Sequence, residues 1–350
     1  MGRWRPARWS VDSGPVRRVL LAFLLALTAI PAAPATRSEA QEARYLRFAA
    51  GPVGGTSFPV ASQIANLLSS PPGLPECGRG GTCGVPGVIV VTQATAGSLE
   101  SADLVGRGQV DVALIHDSVA RWAVSGTGPF RAKPPVPKLR TIANLYAEEV
   151  HIAVRWESLV TSVPELRGRN IGVSEIGSMG YESALIVLDA YGIGPRDITL
   201  TPLPLDRAAE RLRDGAVDAL FALGGQPIDA VARLGRLADI RLVPINGPER
   251  GRLMLDHPLT DFATIKAGAY PGTELTPTIA FDAQLMVSAD MPEDLAYAIA
   301  RALWHPASRA ILDGGHPAAR QIQLGRALDN LGAPLHPGAE RYYREAGRLN

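Results

Sequence analysis

Phe48-Ala49-Ala50-Gly51-Pro52-Val53-Gly54-Gly55-Thr56-Ser57-Phe58-Pro59 joins a short apolar strand to an amphipathic helix through a glycine-rich bend. Glycine lets the backbone approach a ligand closely, and the first-turn N–H groups of a helix have no partner inside it. Such a bend either offers a carboxylate or phosphate a ready site or serves only as a tight connection. A second unit repeats the design: a strand over Asn170–Ser174, the bend Glu175-Ile176-Gly177-Ser178-Met179-Gly180, and a helix over Tyr181–Tyr191 that Gly192 stops.

Around these bends the chain alternates strands and helices. Strands are expected at Tyr45–Ala50, Val88–Thr92, Val110–Ile115 and Val217–Leu223, with helices at Pro59–Leu68, Ser98–Val105 and Asp206–Arg213. This βαβ alternation predicts an α/β fold built on a mostly parallel sheet covered by helices. Gly108-Gln-Val-Asp111-Val-Ala-Leu and Gly215-Ala-Val-Asp218-Ala-Leu-Phe share one plan: a helix halts at glycine, an aspartate follows, and a buried strand begins. Two related lobes and a cleft between them follow. Ligands of open α/β sheets sit beyond the carboxyl ends of strands, where both bends lie. A small anion held from both sides would favour a closed arrangement of the lobes. Asp111 and Asp218 are read as turn or cap residues, because a carboxylate would repel that anion. The segment Pro129–Pro137 reads as a surface excursion.

The N-terminus reads as an export signal over residues 1–35. Five arginines (Arg3, Arg5, Arg8, Arg17, Arg18) precede the apolar run Val19–Ile30, with cleavage after Ala35 or Ala40. The run is short for a membrane span, although an uncleaved anchor is the alternative. Arg17-Arg18 suits either the general or the twin-arginine route. Removing residues 1–35 takes away five arginines and one aspartate, so the net charge of +1 becomes −3. That balance excludes a basic nucleic-acid binder. About 310 residues remain, enough for two domains. The two cysteines of Cys77-Gly-Arg-Gly-Gly-Thr-Cys83 argue for a local disulfide in an exported chain. A metal site would need two further ligands that the neighbourhood does not supply.

No catalytic motif assembles. There is no Gly-Lys phosphate loop, Ser178 lies outside a Gly-x-Ser-x-Gly elbow, and His116, His151, His257, His305, His316 and His336 form no zinc-type pair. The reading is a non-enzyme with no cofactor and no metal. His116 and His151, each beside an apolar strand, are structural histidines or, for His116, a cleft residue. Tyr146 belongs either to the cleft or to the core.

These blocks together resemble the TAXI family of TRAP-transporter solute-binding proteins. The resemblance runs through Gly55-Thr-Ser-Phe-Pro59, Cys83-Gly-Val-Pro-Gly87, Gly97-Ser98, Leu139-Arg-Thr-Ile-Ala-Asn-Leu-Tyr146, Leu166-Arg-Gly168, Gly224-Gly-Gln-Pro227, Tyr270-Pro-Gly272 and Leu335-His-Pro-Gly-Ala-Glu-Arg-Tyr-Tyr-Arg-Glu345. It implies a two-lobed periplasmic-binding-protein fold of the second type, with mixed sheets and hinge strands. Lobe one would take 41–150 and 281–350, and lobe two 151–280, with a return crossing near Thr278–Val287. Helices at Glu293–Trp304 and Ala339–Ala346 would pack back on lobe one, anchored by Trp304 and Tyr342-Tyr343. The implied function is periplasmic capture of a small organic anion, an acidic amino acid or a dicarboxylate, for TRAP membrane permease subunits, with only peripheral membrane contact. The alternatives are a ligand sensor feeding a signalling receptor and a periplasmic enzyme. Carried over by position, the ligand-binding set is Gly55, Thr56, Ser57 and Phe58 from lobe one. Gly177, Ser178, Met179 and Gly180 join from lobe two, with Ser98, His116, Tyr146, Gln226 and Pro227 nearby. The chain departs from the family at Met179-Gly180 in place of Gly-Thr, at His116 in place of glutamine, and at Ser101 in place of asparagine. These departures bear on the ligand.

Overall fold

The computed structural model describes Gly2 and residues 42–349 apart from Glu76 and Gly80. The export signal of residues 1–35 and its cleavage sites lie outside the described residues. In chain order the elements are β1 (Arg44–Ala49), α1 (Ser57–Leu68), β2 (Ser69–Ser70), β3 (Val85–Pro86), β4 (Val88–Gln93), α2 (Ser98–Gly106), β5 (Val112–His116), α3 (Asp117–Ser125) and β6 (Leu139–Arg155). Then come β7 (Asn170–Val173), α4 (Met179–Ala190), β8 (Thr199–Pro202), α5 (Leu205–Arg213), β9 (Ala219–Gly224), α6 (Asp229–Leu237), β10 (Ile240–Leu242), α7 (Gly247–Asp256) and β11 (Thr260–Ile265). The chain finishes with β12 (Thr276–Ser288), α8 (Glu293–Leu303), α9 (Ser308–Gly314) and α10 (Pro337–Glu345).

The strands pair along one path, β3-β2-β4-β1-β5-β12-β6-β9-β7-β8, with β10 on β6 and β11 on β12. Two parallel patches, β4-β1-β5 and β9-β7-β8, stand at either end. The long antiparallel strands β6 and β12 join them. β6 pairs with β12 from Leu139 to Glu149 and with β9 from Glu149 to Val154. The expected lobe boundaries at 150/151 and 280/281 therefore fall inside the two strands that both halves share. The return crossing near Thr278–Val287 lies within β12.

The repeated plan has a structural cause. Asp111 accepts the Arg47 N–H at 2.8 Å and returns its own N–H to the Arg47 carbonyl at 2.9 Å. Asp218 does the same with Asn170, at 2.8 and 2.7 Å. In each half the aspartate extends a parallel ladder back ahead of its first residue pair, occupying backbone groups that would otherwise be unpaired.

α1 buries Val60, Ile64, Leu67 and Leu68 against β1 and the C-terminal helices. Each such side chain contributes about 1.5–3 kcal/mol on burial. The helix ends where Ser69 turns extended and its hydroxyl both bonds the Ala65 carbonyl and accepts the Val90 N–H. Trp304 donates its indole N–H to Tyr343, whose hydroxyl donates to the Ile142 carbonyl on β6. These contacts fasten the C-terminal helices to the first half. The 129–137 excursion is pinned by Phe130, which is fully buried. Cys77 and Cys83 form a disulfide, with His305 Nε2 3.7 Å from Cys77 Sγ. Among the described residues no helix is long and apolar enough to cross a membrane.

Candidate functional site

The first bend needs its glycines because two φ angles are positive. A Cβ on Gly51 (φ +81°) would lie 3.2 Å from Ser57, and one on Gly54 (φ +91°) would lie 2.9 Å from the Asp206 carboxylate. The bend delivers the chain into α1, whose N-cap residue Thr56 provides no side-chain cap. Pro59 in the first turn lacks an N–H, while those of Ser57 and Phe58 have no carbonyl partner within the helix. The Thr56 hydroxyl instead crosses to the other half of the sheet and donates to the Gly225 carbonyl at 3.2 Å.

The second bend behaves differently. Ser178 caps α4 by accepting the Tyr181 N–H at 3.1 Å, and its hydroxyl donates to the Glu175 carbonyl at 2.6 Å. A third helix terminus joins them. α2 begins at Ser98 after Gly97 (φ +142°), again without a side-chain cap. A Cβ on Gly97 would stand 2.9 Å from Ser178 Cα, and Leu99 donates its N–H to the Gly177 carbonyl at 3.3 Å. The two halves thus meet at Gly97–Ser178 and at Thr56–Gly225.

Between them lies a cavity of about 50 Å³, lined from both halves. Each water needs about 10–15 Å³ of such space, so the room suits a few waters or a small solute. Of the predicted residues, Gly55, Thr56, Ser57, Ser98, His116, Ser178, Met179 and Gly180 line it. Phe58 packs instead on the hydrophobic cluster beneath α1. The Gly177 carbonyl is engaged with Leu99, while Gln226 bonds Glu149, Thr264 and Lys266 away from the cavity. Pro227 follows a cis peptide bond in the same loop. Tyr146 is buried behind the wall and reaches the site only through its hydroxyl.

Sequence reasoning missed Glu148. This carboxylate lines the cavity, is 2 % exposed, and faces three donors: Ser57 Oγ at 3.0 Å, Tyr146 Oη at 3.0 Å and His116 Nε2 at 2.9 Å. Burial, and then the Glu148 charge, push the Tyr146 hydroxyl well above its usual range, so it remains a donor. On its other side His116 Nδ1 lies 2.7 Å from Ser98 Oγ, which also accepts the His116 N–H at 3.1 Å. Asp111 and Asp218 are off the lining, in keeping with their reading as turn or cap residues, whereas the Glu148 carboxylate is on it. Glu175, also on the lining, is a second acidic residue, and among the described residues no lysine or arginine lines the cavity.

Glu149, next along β6, points the other way. It is buried with Gln226 as partner to one oxygen and nothing on the other, and burial raises it to about 7. His151, two residues on, donates from Nδ1 to the Glu149 carbonyl, packs edge-on to Tyr270, and is lowered by burial to about 4. It is a core histidine. His116 is the one of the pair that lines the cavity.

Two solved structures share the architecture. A protein from Bordetella bronchiseptica RB50 superposes with a TM-score of 0.50 at 14 % identity, covering 88 % of this chain and 99 % of that one. A structure described as a periplasmic transporter gives a TM-score of 0.51 at 14 % identity, covering 87 % and 92 %. A looser likeness, with a TM-score of 0.41 at 14 % identity over 86 % and 78 %, is to the periplasmic aliphatic sulphonate binding protein SsuA from Escherichia coli. At such identities the likeness concerns the fold, a curled mixed sheet flanked by helices of the periplasmic-binding-protein kind. The sequence profile that matches, over residues 48–347, is that of the NMT1-like family, and the chain belongs to that family.

Proposed function

We propose that this protein is an exported, periplasmic solute receptor that captures a small carboxylate-bearing metabolite between the two halves of its sheet and presents it to a TRAP-type membrane permease. The observation that carries the reading is the convergence of three helix N-termini, those of α1, α2 and α4, on one enclosed cavity. Helix ends favour negative charge by about 0.3–1 kcal/mol each where exposed and up to about 2 kcal/mol where partly buried. The carboxylate sits at the first turns of α1 and α2, where no side chain takes the N–H groups. Met179 closes the second side with an apolar surface. The lobes correspond to residues 41–150 with 281–350 and to 151–280, hinged on β6 and β12.

The structure has the contacts expected of a closed form, since Gly97 and Ser178 touch through backbone. A receptor of this kind works at a Kd of about 1 μM, or about −8 kcal/mol. Calorimetric titration with a panel of small carboxylates and amino acids tests it, followed by X-ray scattering with and without the compound that binds. The expected result is saturable binding of an unchanged compound and a more compact bound form. Binding that leaves the scattering profile unchanged refutes the hinge-closing reading. Transport by membranes carrying the permease, dependent on added receptor, tests the partner.

The chain Ser98–His116–Glu148 has the order of a hydrolytic triad, which keeps a second reading in view. Against it, Ser98 Oγ is engaged by both His116 groups in a residue 4 % exposed. Steady release of nitrophenol from a nitrophenyl ester, abolished in Ser98→Ala, would favour the enzyme.

A further inference from the structure

The cavity sets two kinds of polarity side by side: the starts of α1 and α2, which have no side-chain cap, and next to them Glu148, buried and lining the space. A carboxylate has about four acceptor positions, and Ser57, Tyr146 and His116 fill three, leaving one. His116 fills its Glu148 position through Nε2, while its Nδ1 faces Ser98 Oγ, which also accepts the His116 backbone N–H. With Glu175 also on the lining and, among the described residues, no lysine or arginine there, a dianion would set its second charge among carboxylates.

From this we infer that the solute carries an ammonium group beside its carboxylate, so that Glu148 selects an amino acid over acids of the same carbon skeleton. The inference rests on the receptor reading and narrows it. The carboxylate lies at the helix starts, and the ammonium donates to the remaining acceptor position of Glu148. Charge-assisted hydrogen bonds of this kind are about twice as strong as neutral ones. A desamino acid leaves that position unmet, and a dicarboxylate adds repulsion in a space where water screens little.

The experiment is calorimetric titration of the purified protein with the common amino acids, each beside its desamino partner: alanine with propionate, serine with hydroxypropionate, aspartate with succinate, glutamate with glutarate. The expected result is at least one amino acid bound about 100-fold or more tighter than its partner. In Glu148→Gln that ratio falls below about tenfold, while the melting temperature of the unliganded protein confirms the fold. A desamino acid or dicarboxylate binding as tightly as its amino acid overturns the ammonium assignment and leaves the receptor reading standing. An unchanged ratio in Glu148→Gln likewise removes Glu148 as the selector. No binding by any acid or amino acid in the panel overturns both.

Discussion

The two glycine bends look alike in sequence and do opposite work. At 51–58 the N-cap Thr56 hydroxyl crosses to the Gly225 carbonyl and the Ser57 hydroxyl goes to Glu148, so α1 begins without a side-chain cap. At 174–181 the serine hydroxyl serves its own helix, capping α4 and binding back to Glu175. One bend leaves its helix start without a side-chain cap; the other caps its own helix and contributes a wall. A repeated strand–bend–helix plan therefore gives two unlike helix starts, and the proposed solute chemistry falls to the first.

The largest test of that contrast fills the open bend. Ser57→Trp places an indole in a cavity of about 50 Å³, and affinity for the bound compound should fall by more than about 1,000-fold, over 4 kcal/mol. Tight binding retained in a calorimetric titration would remove the first bend from the site. Next comes the contact between halves. Gly97→Ala puts a Cβ 2.9 Å from Ser178 Cα at a φ of +142°, so closure should be blocked and affinity should drop about 1,000-fold. X-ray scattering would then show the same extended form with and without solute; ligand-induced compaction in the variant would count against the contact as a closure point.

The contrast continues through the hinge strand, where Glu148 meets the first bend and Glu149 meets Gln226 of the second half. Glu149 is raised from 4.5 to about 7 by burial, so between those pH values the unfolded chain has released a proton that the folded protein retains. Stability therefore falls as pH rises across that window, by about 3 kcal/mol in all. His151, lowered from 6.5 to about 4, has the opposite sign: the unfolded chain binds the proton first, and stability is lost as pH falls from 6.5 toward 4. The two slopes oppose each other between about 4.5 and 6.5. Glu149→Gln should remove the falling contribution of Glu149 and raise stability at pH 8 by up to about 3 kcal/mol. Urea melts across pH that match wild type would refute the assignment.

The smallest effect separates the two serines directly. Ser178→Ala should cost about 1 kcal/mol as a lost cap and lower the melting temperature by about 2 °C, with affinity nearly unchanged. Ser57→Ala should weaken binding about tenfold as well as lowering stability, since it takes a donor from the buried Glu148 carboxylate. Equal behaviour of the two variants would erase the distinction.

Much of this was legible in the residues because it is local. Glycine stops, the aspartate after each, and apolar runs at strand and helix periods specify both parallel patches, and Asp111 and Asp218, read as turn or cap residues, share one role at the start of a ladder. The helices began a residue or two earlier than expected, Ser57 and Met179 instead of Pro59 and Tyr181, since first-turn residues need no apolar periodicity. Glu148 was hidden for a different reason. It lies mid-strand between Ala147 and Glu149, and only the pairing of β6 with β12 and β9 decides which of two adjacent acids faces the cavity. The cap at Ser178 is readable as a serine ahead of a helix, a signal that a cap and a ligand donor share.

β6 changes companions at one residue. Up to Ala147 one edge is covered by the 321–335 tail, through Thr141, Asn144 and Ala147; from Glu149 onward β9 takes that edge. Glu148 sits at the handover, on the axis about which a hinge of this topology would swing. Points on an axis do not travel, so the cavity floor would stay put while the helix ends lift away, and a departing solute would lose its carboxylate grip before its grip on the floor.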